Sequence, residues 1–232
     1  MKFAIKHLEH SRIDSLSDGI FSIALTLLGF DLIGAVKTTA EGHDLNASLL
    51  KQWPVFFSFL LGFFVLYAIW YEYHATSQYI VGTSALIIWT HGFTLLCVSM
   101  VPFGTALLGE NINTPNMSWA VFYFGLILFG DKPVAVLLGY FTIRKGGYIL
   151  TDDAPVSPEA WGRMGRIWYS MLSVYGAVAM SISLVYPWAA LALYGVYLFS
   201  KLNPIATLNS SARRINRVIN LGIEEEEKSK KS

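Results

Sequence analysis

The stretch Arg12 to Phe30, RIDSLSDGIFSIALTLLGF, is an apolar helix that carries Ser17 and Asp18 within its first third and then runs almost purely aliphatic. A carboxylate at that depth of a bilayer cannot face lipid; it has to meet protein or water. Whatever this chain folds into, other groups must reach this helix. An ionisable residue placed so is a functional-site candidate by default.

The rest of the chain fits a membrane setting. Its 232 residues are 54% apolar, 15% aromatic and 14% charged, and the mean hydropathy is positive, outside the soluble range. Spanning needs roughly 20 mostly apolar residues, and six segments qualify: 13–34, 53–76, 83–107, 118–143, 164–185 and 187–202. The expectation is an all-α integral membrane protein, with a six-helix domain over 1–204 and a charged tail over 205–232. Asp14 and Asp18 interrupt the first apolar region, so it reads as a spanning helix rather than a cleaved signal.

Charge placement sets orientation. With the N-terminus inside, fourteen Lys and Arg residues fall on the inner side and only Lys37 and Lys51 on the outer, while Lys132 lies within a span. That bias puts both termini in the cytoplasm and suits a multi-pass protein of the plasma membrane. No metal-ligand spacing, P-loop, nucleophile elbow or dinucleotide fingerprint occurs, so no cofactor and no nucleic-acid partner is expected. The single Cys97 sits in an apolar run and reads as a core-filling thiol.

At about 100° per residue, Arg12, Leu16, Gly19, Thr26, Leu27 and Phe30 fall within about 40–60° of Ile23. Ser17 and Asp18 point more than about 100° away. One face can therefore line something while the other is anchored. Asp18 needs internal donors, and spans two and three supply His74, Trp89 and His91; a hydrogen-bonded Ser17–Asp18–His74–Trp89 core is expected.

Arg12, Ser17, Asp18 and Gly19 within RIDSLSDG resemble the Arg-x-x-x-Phe-Ser-Asp signature that opens the first helix of the transmembrane protein 175 family, the lysosomal potassium channel and its prokaryotic relatives. The resemblance extends to His74, Trp89 and Val101-Pro102-Phe103. Leu16 stands where phenylalanine is usual, and His91 near a common asparagine. The resemblance implies a potassium-preferring cation channel, a homotetramer of six-helix subunits whose first helices line a central pore. Carried onto this chain, Ile23 is the narrowest ring, Thr26, Leu27 and Phe30 form the next layers outward, and potassium passes along the axis without a fixed metal-ligand cluster. Asp31, at the outer end, would gather cations. The sequence has no TVGYG filter.

Asp131, Lys132 and Pro133 interrupt the fourth span. Adjacent side chains lie about 100° apart on a helix and need not pair, so this triplet reads as a kink with separately satisfied polar groups, or as part of an ion or proton path. The latter keeps a secondary transporter or proton-coupled carrier as the rival to a channel. A membrane-embedded enzyme using Ser17, Asp18 and His74 is the weakest option.

Overall fold

A computed structural model of the chain describes residues 10–39, 45–82, 85–144, 149–150 and 157–201. The expected tail lies outside these residues. Helix α1 spans His10–Thr39, a short α2 Leu45–Lys51, α3 Trp53–Ser77, α4 Ala85–Asn111, α5 Met117–Phe129, α6 Asp131–Arg144, α7 Pro158–Ser183 and α8 Pro187–Lys201. Each expected apolar segment is thus helical, and the expected fourth span is two helices in series. The only strands among the described residues are β1, Ile80–Gly82, and β2, Ile149–Leu150, which pair antiparallel. They tie the segment after α3 to the one after α6.

Among the described residues four stretches are long and apolar enough to cross a membrane: Arg12–Gly34, Trp53–Ser77, Ile88–Asn111 and Met117–Leu137. The fifth and sixth expected spans form as α7 and α8 without joining that set. Helix α7 carries Arg163 and Arg166. Helix α8 has 15 residues, about 22 Å of helix, which is short of the roughly 30 Å hydrocarbon core.

Local chemistry explains the break in the fourth segment. Gly130 caps α5, its N–H bonding the Leu126 carbonyl at 2.8 Å. Pro133 then falls in the first turn of α6, where a missing N–H costs no intrahelical bond. Sequence alone reads Pro133 as an interruption inside a helix; the structure makes it part of a helix start.

Helices α1 and α3 run antiparallel, since Asp14 and Asp18 near the start of α1 bond Tyr73 and Trp70 near the end of α3. The core joins Phe21, Ala24 and Leu28 of α1 to Val65 and Leu66 of α3, and continues through Val98 and Leu108 of α4. It extends through Phe124 and Leu128 of α5 to Tyr194 of α8. Tyr194 reaches back to the Val121 carbonyl at 3.2 Å, and Tyr175 of α7 bonds the Leu193 carbonyl at 2.6 Å. Lipid offers helices no hydrophobic advantage over one another, so close approach at small residues matters. A methyl group on Gly176 of α7 would meet the Phe129 ring at 2.5 Å, whereas one on Gly195 of α8 would meet nothing within 4 Å. Gly176→Ala is therefore expected to lower stability by about 1–3 kcal/mol through overpacking, while Gly195→Ala is expected to be neutral or stabilising by up to about 1 kcal/mol. Thermal unfolding of the detergent-purified variants measures the contrast.

Candidate functional site

Helix α1 divides into two faces. Ser17, Phe21, Ala24 and Leu28 are buried against the bundle, while Arg12, Leu16, Gly19, Ser22, Ile23, Thr26, Leu27 and Phe30 are exposed. Ile23 is 60% exposed and Phe30 63%, so this surface is uncovered in the isolated subunit. All of them but Ser22 are residues the helical wheel groups around Ile23; Ser15 and Asp18, outside that group, are exposed as well. The Thr26 hydroxyl bonds the carbonyls of Ser22 and Ile23, both at 2.8 Å. Its proton is thereby held toward the helix, leaving the oxygen lone pairs for an outside partner. The Asp31 side chain lies outside the described residues.

A polar seam runs along the other edge of α1. Trp70 Nε1 donates to Asp18 Oδ1 at 2.9 Å, and the Tyr73 hydroxyl donates to Asp14 Oδ1 at 2.8 Å. Ser17 Oγ lies 2.7 Å from both the Ile13 carbonyl and His91 Nε2. One hydroxyl proton serves both contacts, so when it goes to Ile13, His91 must donate from Nε2. Ring stacking stiffens the seam: Trp70 lies on His74 with centroids 5.3 Å apart, and Tyr73 on His91 at 4.6 Å.

This arrangement corrects the expected Ser17–Asp18–His74–Trp89 core. Ser17 pairs with His91, Asp18 with Trp70, and His74 enters through its ring face. Trp89 is 76% exposed and stands outside the subunit's own network. The physical reason is helix phase. Trp89 lies two positions before His91, about 200° around α4, so when His91 faces Ser17 the indole must face away. Trp70 and Tyr73 stand among the aromatic residues near the end of an apolar run, and the signal for their role is present in the sequence. Asp14 and Asp18 are four apart and Trp70 and Tyr73 three apart, matching faces on antiparallel neighbours.

The Asp131–Lys132 pair is also corrected. Lys132 Nζ reaches Asp131 Oδ2 at 2.8 Å, and Thr94 Oγ1 donates to the same oxygen at 3.1 Å. Both residues are buried. At the first turn of a helix that starts at Asp131, the two side chains are free to curl together across the break. Nearby, Lys201 at the end of α8 is 2% exposed; its ammonium bonds both carboxylate oxygens of Glu72 and lies over the rings of Trp168 and Tyr197. Counting charges along the sequence assigns Lys201 to the inner surface. Its aliphatic stem and its pairing with Glu72 bury it instead. Among the described residues no group of three His, Cys, Asp or Glu is placed to hold a metal ion.

Residues 12–102, from the start of the α1 seam to the middle of α4, match the family model for the endosomal/lysosomal potassium channel TMEM175. Over these residues the chain is similar to the TMEM175 family. It is 34% identical over 121 residues to a protein named as a potassium channel from Chamaesiphon minutus, a match that spans 52% of this chain and 60% of that one. It is 27% identical over 212 residues to a protein named as a potassium channel from Streptomyces collinus, spanning 88% of this chain and 98% of the other. The fold resembles the crystal structure of a lysosomal potassium-selective channel TMEM175 homolog from Chamaesiphon minutus, with a TM-score of 0.67 at 24% identity over 84% of this chain and 98% of that one. These relatives are named as channels.

Within this TMEM175 fold the Asp131–Lys132 pair has a testable role. Asp131→Ala is expected to cost about 3–5 kcal/mol, because it leaves a buried ammonium uncompensated, whereas the double change Asp131→Leu with Lys132→Met is expected to restore stability. Yield and melting temperature of the purified variants decide this.

Proposed function

We propose that this chain forms a potassium-preferring cation channel in the plasma membrane, a homotetramer of six-helix subunits with both termini cytoplasmic. The observation that carries the reading is the uncovered face of α1, where Gly19, Ser22 and Thr26 are interleaved with Leu16, Ile23, Leu27 and Phe30 on a helix apolar enough to span. Hydroxyls and glycine among large aliphatics suit neither pure lipid contact nor a dry core. They suit four copies of one helix around a narrow water path. The relatives named as potassium channels support the ion.

In this reading Ile23 forms the narrowest ring, and Thr26, Leu27 and Phe30 follow toward the outside. A ring of four isoleucines closes a water path by crowding and dewetting. Selectivity for charge sign comes from Thr26: with its proton bonded back to the Ser22 and Ile23 carbonyls, the hydroxyl meets a passing ion as an acceptor. Asp31 adds negative charge at the outer mouth. Arg12, Ser17, Asp18 and His74 act from the inner end, holding α1 at its angle against α3 and α4. Trp89 takes its place in that network only in the assembly. The buried pairing of Asp131 with Lys132 and Thr94 supports a structural role for that cluster over a carrier site.

Purified protein in liposomes, with flux read under opposed potassium and sodium gradients, tests the reading; saturation like a carrier or coupling to a counter-ion would overturn it. Ile23→Ala is expected to raise cation flux and erode potassium preference, a barrier lowered by about 1 kcal/mol giving about a fivefold rise. Leu25 is half-buried against the core, so Leu25→Ala is expected to change stability and leave the conductance of assembled channels near normal. Equal effects at the two positions would reject this face of α1 as the pore wall.

A further inference from the structure

The Asp18 site is half-built in the single subunit. Asp18 is exposed and accepts from Trp70 through Oδ1, and among the described residues no other hydrogen bond reaches it. A carboxylate inside a spanning helix cannot be left to lipid, which has no donor at that depth. The edge between α1 and α3 therefore has a cover that the described residues of the subunit do not supply.

A matching orphan lies on the opposite flank. Trp89 of α4 is 76% exposed, and its indole N–H, which can only donate, meets no acceptor among the described residues. The depths are close. The 2.7 Å contact between Ser17 and His91 sets those residues level; at about 1.5 Å per residue Trp89 then starts about 3 Å nearer the inner end and Asp18 about 1.5 Å nearer the outer one, a gap of about 4.5 Å that the length of an indole side chain spans. Direction disagrees within one subunit: measured from Ile23, Asp18 points about 140° to the α3 side of α1, and Ser17, facing α4, about 120° to the other. A donor and an acceptor at nearby depths on opposite flanks can meet when copies are arranged around an axis, because rotation about the membrane normal preserves depth.

We propose that Trp89 of each copy inserts at the α1–α3 edge of the next and donates its indole N–H to the second carboxylate oxygen of that copy's Asp18. This rests on the homotetramer reading above and names how its neighbours touch. The contact is head-to-tail: the α4 face of Trp89, Phe93 and Leu96 packs on the α3 face of Phe64 and Tyr67, all five exposed in the subunit. The α4 face has the recesses that such rings need. Gly92 has open space where a methyl group would sit, and Ser99 follows seven residues later on the same exposed side. Small residues at such a position favour a helix neighbour over lipid. The Asp18 site then has two indole donors, one from its own α3 and one from a neighbour's α4, and is complete only in the ring.

Crosslinking tests the contact. Level with Asp18, Trp70 places Tyr67 opposite about residue 21 of α1, and His91 places Leu96 opposite about residue 22, so the two fall within about one residue of the same depth. In a Cys97→Ser background, Tyr67→Cys combined with Leu96→Cys is expected to give oxidative crosslinks that climb through dimer and trimer and stop at four, while neither single cysteine crosslinks. Trp89→Phe keeps the ring and removes the donor; it is expected to raise about tenfold the protein concentration needed to hold the tetramer in detergent, with helix content unchanged. Crosslinking by either single cysteine would reveal a self-complementary contact and overturn the proposal. A tetramer by mass with no crosslink and no response to Trp89→Phe would overturn this contact and leave the tetramer standing. A chain that never exceeds one subunit would overturn both.

Discussion

The carboxylate of Asp18 is the constraint around which the first three long helices are arranged. In water its hydration would cost the fold nothing; within a spanning helix each of its lone pairs needs a donor of fixed position. Trp70 supplies one at 2.9 Å, and that single bond fixes the axial register of α3 against α1. Tyr73 and Asp14 repeat the same register one turn away. Helix α4 is set by the next requirement in line, that of the Ser17 hydroxyl, met by His91. Apolar packing of Phe21, Ala24 and Leu28 fills the space these bonds define, but leucines and alanines tolerate sliding by a turn and the polar seam does not.

Polar groups also decide which surfaces stay open. The buried face of α1 carries the one hydroxyl, Ser17, that finds a histidine, while the exposed face keeps Ser22 and Thr26, and Thr26 satisfies its proton on its own helix. Thr26, with its donor spent and its acceptor lone pairs left, is suited to cations and to water. In the proposed channel that asymmetry, more than any single residue, connects the fold to ion conduction.

Much of this was legible in the sequence. The six apolar segments are helical, the two faces of α1 separate as their 3.6-residue period requires, and the opening motif carries the family resemblance. What resisted was pairing. Helical phase tells which way Trp89 points relative to His91, but choosing His91 over Trp89 as the inward residue needs the position of Ser17, a fact of the tertiary structure. The same holds for Trp70, whose indole looks from sequence like a membrane-surface anchor. Asp131 and Lys132 were misjudged because ideal helix geometry was applied across Gly130, where the chain ends one helix and begins another and long side chains are released from the 100° rule. Glu72 gave no sign of its role, since its partner Lys201 lies 129 residues away.

The ion pair between Glu72 and Lys201 has a mechanical meaning for the bundle. Both oxygens of Glu72 are engaged, and the ammonium is boxed by Trp168 and Tyr197. Shifting α8 along α3 by even one turn would strip a charge of its partner inside a low-dielectric interior, a penalty of several kcal/mol. The pair works as a detent between the two helices. The seam on α1 is of another kind: its acceptors meet neutral indole and phenol donors carried on flat rings, each held by stacking on a histidine. With α8 latched to one side of α3 and α1 seamed to the other, a displacement of α3 along its axis has to carry both neighbours with it.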